Sequence, residues 1–114
     1  MGVLQTAADE NILSIGVDSN QNYLHSGKVL TSMLKRVDVA VYDSMKAGTA
    51  IETGGFTTLG LAEEGVGYAL DEHNASLVSA DMKAAVDEAR EKIISGDLEV
   101  VAYYANDSCP ALDF

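Results

Sequence analysis

Two short apolar runs, each beside a stretch of helical spacing, narrow the folds open to this chain more than any other feature. The first, Ile12-Leu13-Ser14-Ile15-Gly16-Val17, follows a segment from Gly2 to Glu10 in which Val3, Leu4, Ala7 and Ala8 share one helix face. That segment lacks an N-cap and is too short to stand alone, and Asn11 can punctuate its end. The second run, Val29-Leu30-Thr31-Ser32-Met33-Leu34, leads into Lys35-Arg36 and a helix through about Lys46, with Val37, Ala40, Val41, Ser44 and Met45 on one face and Gly48 as terminator. Runs this short and apolar suit parallel strands buried on both faces, and the helix-then-strand order predicts an α/β fold.

Further along, Gly54-Gly55 opens a loop, and residues 56–61 and 66–70 have the spacing of two short strands joined by a turn, each weakened by glycine. The strongest helix covers residues 80–95, with Ser79 as N-cap, Met82, Val86, Ala89 and Ile93 at the helical period, and Gly96 as C-cap. Residues 100–104 suit a last strand, and 105–114, holding Asn106-Asp107-Ser108 and the only proline, suit an irregular tail.

Composition excludes several functions. A chain of 114 residues can build one lobe's worth of core, and 47% hydrophobic against 22% charged residues supports a packed interior. The formal net charge of −11 repels phosphate backbones, so nucleic acid is not an expected partner. Met1-Gly2 opens onto Val-Leu-Gln-Thr-Ala-Ala with no basic start or hydrophobic signal core, and no run approaches the ~20 apolar residues of a membrane helix, so the chain as written is expected to be soluble. Cys109 is the only cysteine, which rules out a disulfide within one chain.

An enzyme needs a nucleophile with its base, a metal cluster or a phosphate cradle. His25 and His73 have no second His or Cys at ligand spacing, and Asp71-Glu72-His73 sets its side chains on successive positions that do not converge in regular structure. Cys109 lacks the cationic surroundings that make a thiolate reactive. Gly54-Gly55 and Gly65-Val66-Gly67 match no nucleotide fingerprint. No catalytic residue, metal or cofactor is therefore expected. What remains is Asp18, opening the turn-forming cluster Asp18-Ser19-Asn20-Gln21-Asn22 at the carboxyl end of the first strand, with Lys35 and Arg36 after the second. A carboxylate so placed can accept from two neighbouring sugar hydroxyls while an ammonium donates to the same sugar. Equally, Asp after a strand is a common loop cap, and Lys-Arg is a common solvated helix start.

Three ordered blocks carry more than their spacing: Ile15-Gly16-Val17-Asp18-Ser19-Asn20-Gln21, then Val29 through Tyr42, then Leu59-Gly60-Leu61-Ala62-Glu63-Glu64-Gly65-Val66-Gly67. They resemble the basic membrane protein family, the nucleoside-capturing lipoproteins of ABC importers, over about residues 2–100. The resemblance implies the type I periplasmic-binding-protein fold, two α/β lobes closing on a ligand, and the present chain as a partial, flavodoxin-like parallel-sheet lobe. It also implies that Asp18 hydrogen-bonds the ribose of a purine nucleoside and that Lys35 assists. The partners implied are the nucleoside and an ABC permease, and the parent is expected at the cell surface or in the periplasm as a membrane-anchored lipoprotein.

Residues 1–104 are accordingly expected to be the carboxyl-terminal portion of such a binding domain, with the base-stacking aromatics and a Gly-Gly-Thr-Gly stretch lying before Met1. The lobe would be completed by its missing half or by a second copy, so a homodimer is expected. Two rival readings are a self-associating structural fragment without ligand binding and a small flavodoxin-like regulatory domain. The second is disfavoured because Asp18 has no companion carboxylate close in sequence to hold a metal.

Overall fold

A computed structural model describes residues 2–50 and 56–101. The expectations for Gly54-Gly55, for most of the 100–104 strand and for the tail with Cys109 fall outside these residues. Helix α1 (Gly2–Asp9) leads to strand β1 (Ser14–Asp18), a 3-10 turn (Asn22–His25), strand β2 (Val29–Lys35) and helix α2 (Val37–Ala47). Strand β3 (Val66–Tyr68) and helix α3 (Ala80–Ser95) follow.

Local chemistry explains the helix ends. Asn11 takes φ 59° after α1, and Ile12 N–H reaches back to Ala7 O at 2.8 Å, closing the left-handed stop that a short polar side chain tolerates. On α3, Ser79 Oγ accepts from Met82 N at 3.1 Å and Gly96, at φ 84°, ends the helix. Both ends of α3 fall where the sequence predicts them.

The sheet runs β1-β2-β3 and is mixed. β1 and β2 are parallel, with Gly16 opposite Ser32 and Asp18 opposite Leu34. Residues 19–28 cross between them without an α-helix. β3 runs antiparallel to β2, with Lys35 opposite Val66 and Met33 opposite Tyr68, so the lobe is α/β but not wholly parallel.

Two expectations change. Residues 56–60 form no strand, because the chain closes on itself just afterwards: Gly65 N–H bonds Gly60 O at 2.9 Å, and a Cβ on Gly65 would run into Leu59. Gly65 O instead accepts from Arg36 N at 2.9 Å, which starts β3 beside the end of β2. Nor is β1 buried on both faces, since Ile15 and Val17 are 58% and 56% exposed and only Gly16 is buried.

The interior is small and half polar. Leu4, Val29 and Ala69 are its buried apolar residues, and Asn22, Ser32 and Asn74 are buried with them. Neither α2 nor α3 buries a residue. Instead α3 borders an apolar groove of about 720 Å³ with Met33, Val66, Tyr68, Val86 and Ile93 among its walls. Tyr68 Oη and Asp87, 3.2 Å apart, join helix to sheet across it.

Candidate ligand-binding site

Asp18 and Lys35 end neighbouring parallel strands, and the register brings them together. Because Asp18 lies opposite Leu34, the next residue of β2 can reach it, and Lys35 Nζ stands 3.1 Å from Asp18 Oδ1. Their side chains are 62% (Lys35) and 67% (Asp18) exposed, so an ion pair this open contributes little to stability. It leaves the second carboxylate oxygen and the remaining ammonium protons facing outward, which is what a hydroxylated ligand requires. The carboxylate is open, not buried.

The adjacent arginine goes elsewhere. Arg36 donates from Nε and Nη2 to Asp38 in the first turn of α2, at 3.0 and 2.8 Å. That hydrogen bond and the opposite charge raise the Arg36 pKa and lower that of Asp38. The pair Lys35-Arg36 is thus split between the Asp18 carboxylate and a helix start. Arg36 also lines the apolar groove, whereas neither Asp18 nor Lys35 does, so groove and ion pair are separate features.

The turn after β1 is built by polar side chains. Gln21 folds back over the strand, its Oε1 accepting from Val17 N at 3.0 Å, and this needs Gly16, because a Cβ there would strike Ser32 Oγ and the Gln21 side chain. Ser32 Oγ accepts from Gln21 N at 3.0 Å and donates to Asn22 Oδ1 at 2.7 Å. On the other side, Asn20 Nδ2 and Asn22 Nδ2 both donate to Asp71 Oδ2, at 2.7 and 3.1 Å.

Asp71, Glu72 and His73 correct a sequence expectation, for one ligand atom from each lies within 4.8 Å of the others. They converge because residues 71–75 turn tightly, with Ala75 N–H on Asp71 O at 2.9 Å and Asp71 Oδ1 accepting from His73 N at 2.8 Å. Both Asp71 oxygens are engaged by N–H donors, and these hold its pKa below the ordinary carboxylate value, Asn20 foremost, against the opposing effect of burial. The turn-forming cluster in the sequence includes Asn22, but residue spacing does not reveal Asp71, Asn74 or Ser32 as groups that build this turn. The available signals were a serine inside an apolar run and the pattern Asp71-x-x-Asn74, in which Asn74 Oδ1 caps Asp71 N at 2.8 Å.

Residues 1–102 match the family Bmp, described as ABC transporter substrate-binding protein PnrA-like, and the chain belongs to that family. This is a family of substrate-binding transport proteins, not of enzymes. The chain is 38% identical over 99 residues to the CD4+ T-cell-stimulating antigen of Listeria monocytogenes serovar 1/2a, covering 75% of this chain and 26% of that protein. It is 37% identical over 78 residues to basic membrane protein D of Borreliella burgdorferi strain JD1, covering 64% and 23%. A crystal structure of an ABC transporter system solute-binding protein from Aeropyrum pernix K1 matches with a TM-score of 0.66 and 28% identity, over 88% of this chain and 36% of that one. The chain thus spans about a quarter of the length of the curated relatives it matches.

Proposed function

We propose that this chain supplies the ribose-reading residues of a purine nucleoside-binding protein that serves an ABC importer. The observation that carries the reading is the Lys35 Nζ to Asp18 Oδ1 contact of 3.1 Å at the open ends of two parallel strands, within a chain of the Bmp family. Asp18 accepts from the two vicinal hydroxyls of the sugar, and Lys35 donates to one of the same oxygens. A neutral nucleoside suits the site better than a nucleotide, because the formal charge of −11 opposes an added phosphate. The name basic membrane protein, borne by a relative, fits a parent at the cell surface that hands its ligand to a membrane permease. Among the described residues no helix is long and apolar enough to cross a membrane.

Calorimetry with inosine, guanosine and adenosine tests this on a complete two-lobed protein containing the segment. Equal affinity for inosine and its 2′,3′-dideoxy analogue would show that the sugar hydroxyls are not read. The 114-residue chain alone is expected to bind these nucleosides weakly or not at all, because a pair this exposed cannot enclose a ligand.

A second reading, self-association, is favoured by Ile15, Val17, Val41 and Met45, which are all more than half exposed. In that reading a second copy covers these faces, and the chain is a homodimer.

A further inference from the structure

The turn carrying Asp18 is held by amides to which the ribose reading gives no part. Asp18 has φ 78°, in the left-handed region that few non-glycine residues adopt and that a short polar side chain can reach with local support. That support is specific. Just before Asp18, Val17 N–H is tied to Gln21 Oε1, and Gln21 N–H is tied to Ser32 Oγ on β2. Just after it, Asn20 Oδ1 accepts from Asn22 N at 3.0 Å, and both asparagine amides converge on Asp71 Oδ2. Asp18 and Ser19 are the residues left between the two sets of ties.

We propose that Asp71 is a positioning residue for Asp18: by gathering Asn20 and Asn22 on one carboxylate oxygen, it fixes the far side of the turn and so aims the Asp18 carboxylate at Lys35 and the ligand. The consequence for binding rests on the ribose reading; the geometry does not. Asp71 is itself anchored, since Asn74 Oδ1 accepts from its N–H while Asn74 Nδ2 donates to Leu30 O on β2 and to Ala69 O just after β3, both at 2.9 Å. The position of β3 is thereby relayed to the end of β1.

A carboxylate is needed there, because three N–H donors, from Asn20, Asn22 and His73, meet its two oxygens. Asparagine at 71 would offer one acceptor and turn an NH₂ toward a donor. Asn20 cannot flip to compensate, as its Oδ1 is held by the Asn22 N–H, which can only donate.

The test is nuclear magnetic resonance on the 114-residue chain, reading the intraresidue cross-peak between the amide and α protons of Asp18. A positive φ brings those protons close, and the intensity falls steeply with distance. Asp71→Ala and Asp71→Asn are expected to weaken the peak several-fold, and Asn20→Ala to weaken it less. Ser79→Ala, which removes the α3 cap and touches none of these bonds, should leave it unchanged. If Asp71→Ala does not fold, Asn20→Ala decides, because Asn20 is exposed and its truncation cuts its bonds to Asp71 and to the Asn22 N–H without emptying the interior. An unchanged peak in whichever of the two decides overturns the proposal, as does an equal loss in Ser79→Ala. Inosine titration of Asp18→Ala in a complete two-lobed protein tests the ribose reading separately: undiminished affinity there would remove the ligand and leave the cross-peak result standing.

Discussion

At the carboxyl ends of β1 and β3, Asn22, Ser32 and Asn74 are wholly buried, and among the described residues no buried side-chain nitrogen or oxygen lacks a partner. On α2, by contrast, Val37, Val41 and Met45 are 53%, 51% and 78% exposed, and nothing described covers them. In the first region polar groups are buried beside Val29 and Ala69, and in the second apolar groups stand more than half exposed. The difference separates two tasks. A fully bonded polar interior specifies one arrangement of the turn, since any other leaves a donor or acceptor unpaired in a dry place. The apolar faces specify nothing by themselves and acquire a meaning only from what covers them.

Substitutions in the two regions should differ accordingly. Asn74→Ala strips Asp71 N and Leu30 O of a partner, and should destabilise the chain by about 3 kcal/mol, the upper end for a buried polar group left unmatched. A denaturant midpoint within error of the unmutated chain would mean that the polar interior does not govern the fold. Next in size is the ligand pair. In a complete two-lobed protein, Asp18→Ala should weaken inosine binding about tenfold or more and Lys35→Ala less, because the carboxylate makes the charge-assisted bonds and the ammonium supports it. The reverse order by calorimetry would assign the sugar to the lysine.

Acid should separate the regions more gently. The carboxyls of Asp71, Asp87 and Glu88 are all held below their ordinary values, so each contributes stability above the unfolded pKa of about 4 that is lost as pH falls through the folded one. Asp87 and Glu88 owe this to hydrogen bonds and charges from Lys83 and Lys92, on the open face of α3. Asp71 owes it first to the Asn20 amide. In molar salt the depression at Asp87 and Glu88 should shrink while that at Asp71 persists, as carboxyl-carbon titration would reveal. A uniform shrinkage would mean that Asp71 is held by charge as well. The smallest effect on folding belongs to Met45→Ser, within about 0.5 kcal/mol for an exposed position. The same change should lower self-association seen by ultracentrifugation, and association of the unmutated chain should strengthen with salt. A monomer at every salt concentration would leave the second reading without support.

Features decided within a few residues were legible in the sequence: the Asn11 stop, the Ser79 and Gly96 caps of α3, and the two strands flanking the Asp18 turn. Asp18 and Lys35 could be singled out because each follows an apolar run. Contacts between distant segments were not legible. The antiparallel course of β3 depends on Gly65 meeting both Gly60 and Arg36, and Asn20 bonds a residue 51 positions away. Ser32 stands within the apolar run 29–34 with nothing local to mark it, whereas its hydroxyl is the post to which the turn is tied. The openness of Ile15 and Val17 could not be read either, because an apolar run looks the same whether or not something covers it.

The parallel pairing of β1 with β2 also has a consequence in time. Asp18 and Lys35 both lie within the single stretch 14–35, closed by a short link, so the loop entropy for bringing them together is small. Asp71 must come from far along the chain, after β3 has found its register. During folding, the strand ends should therefore meet while the turn between them is still free to sample negative φ. If Asp71 positions Asp18 as proposed, the left-handed geometry at Asp18 should be set last, and a folding probe there should report the arrival of β3, not the formation of β1 and β2.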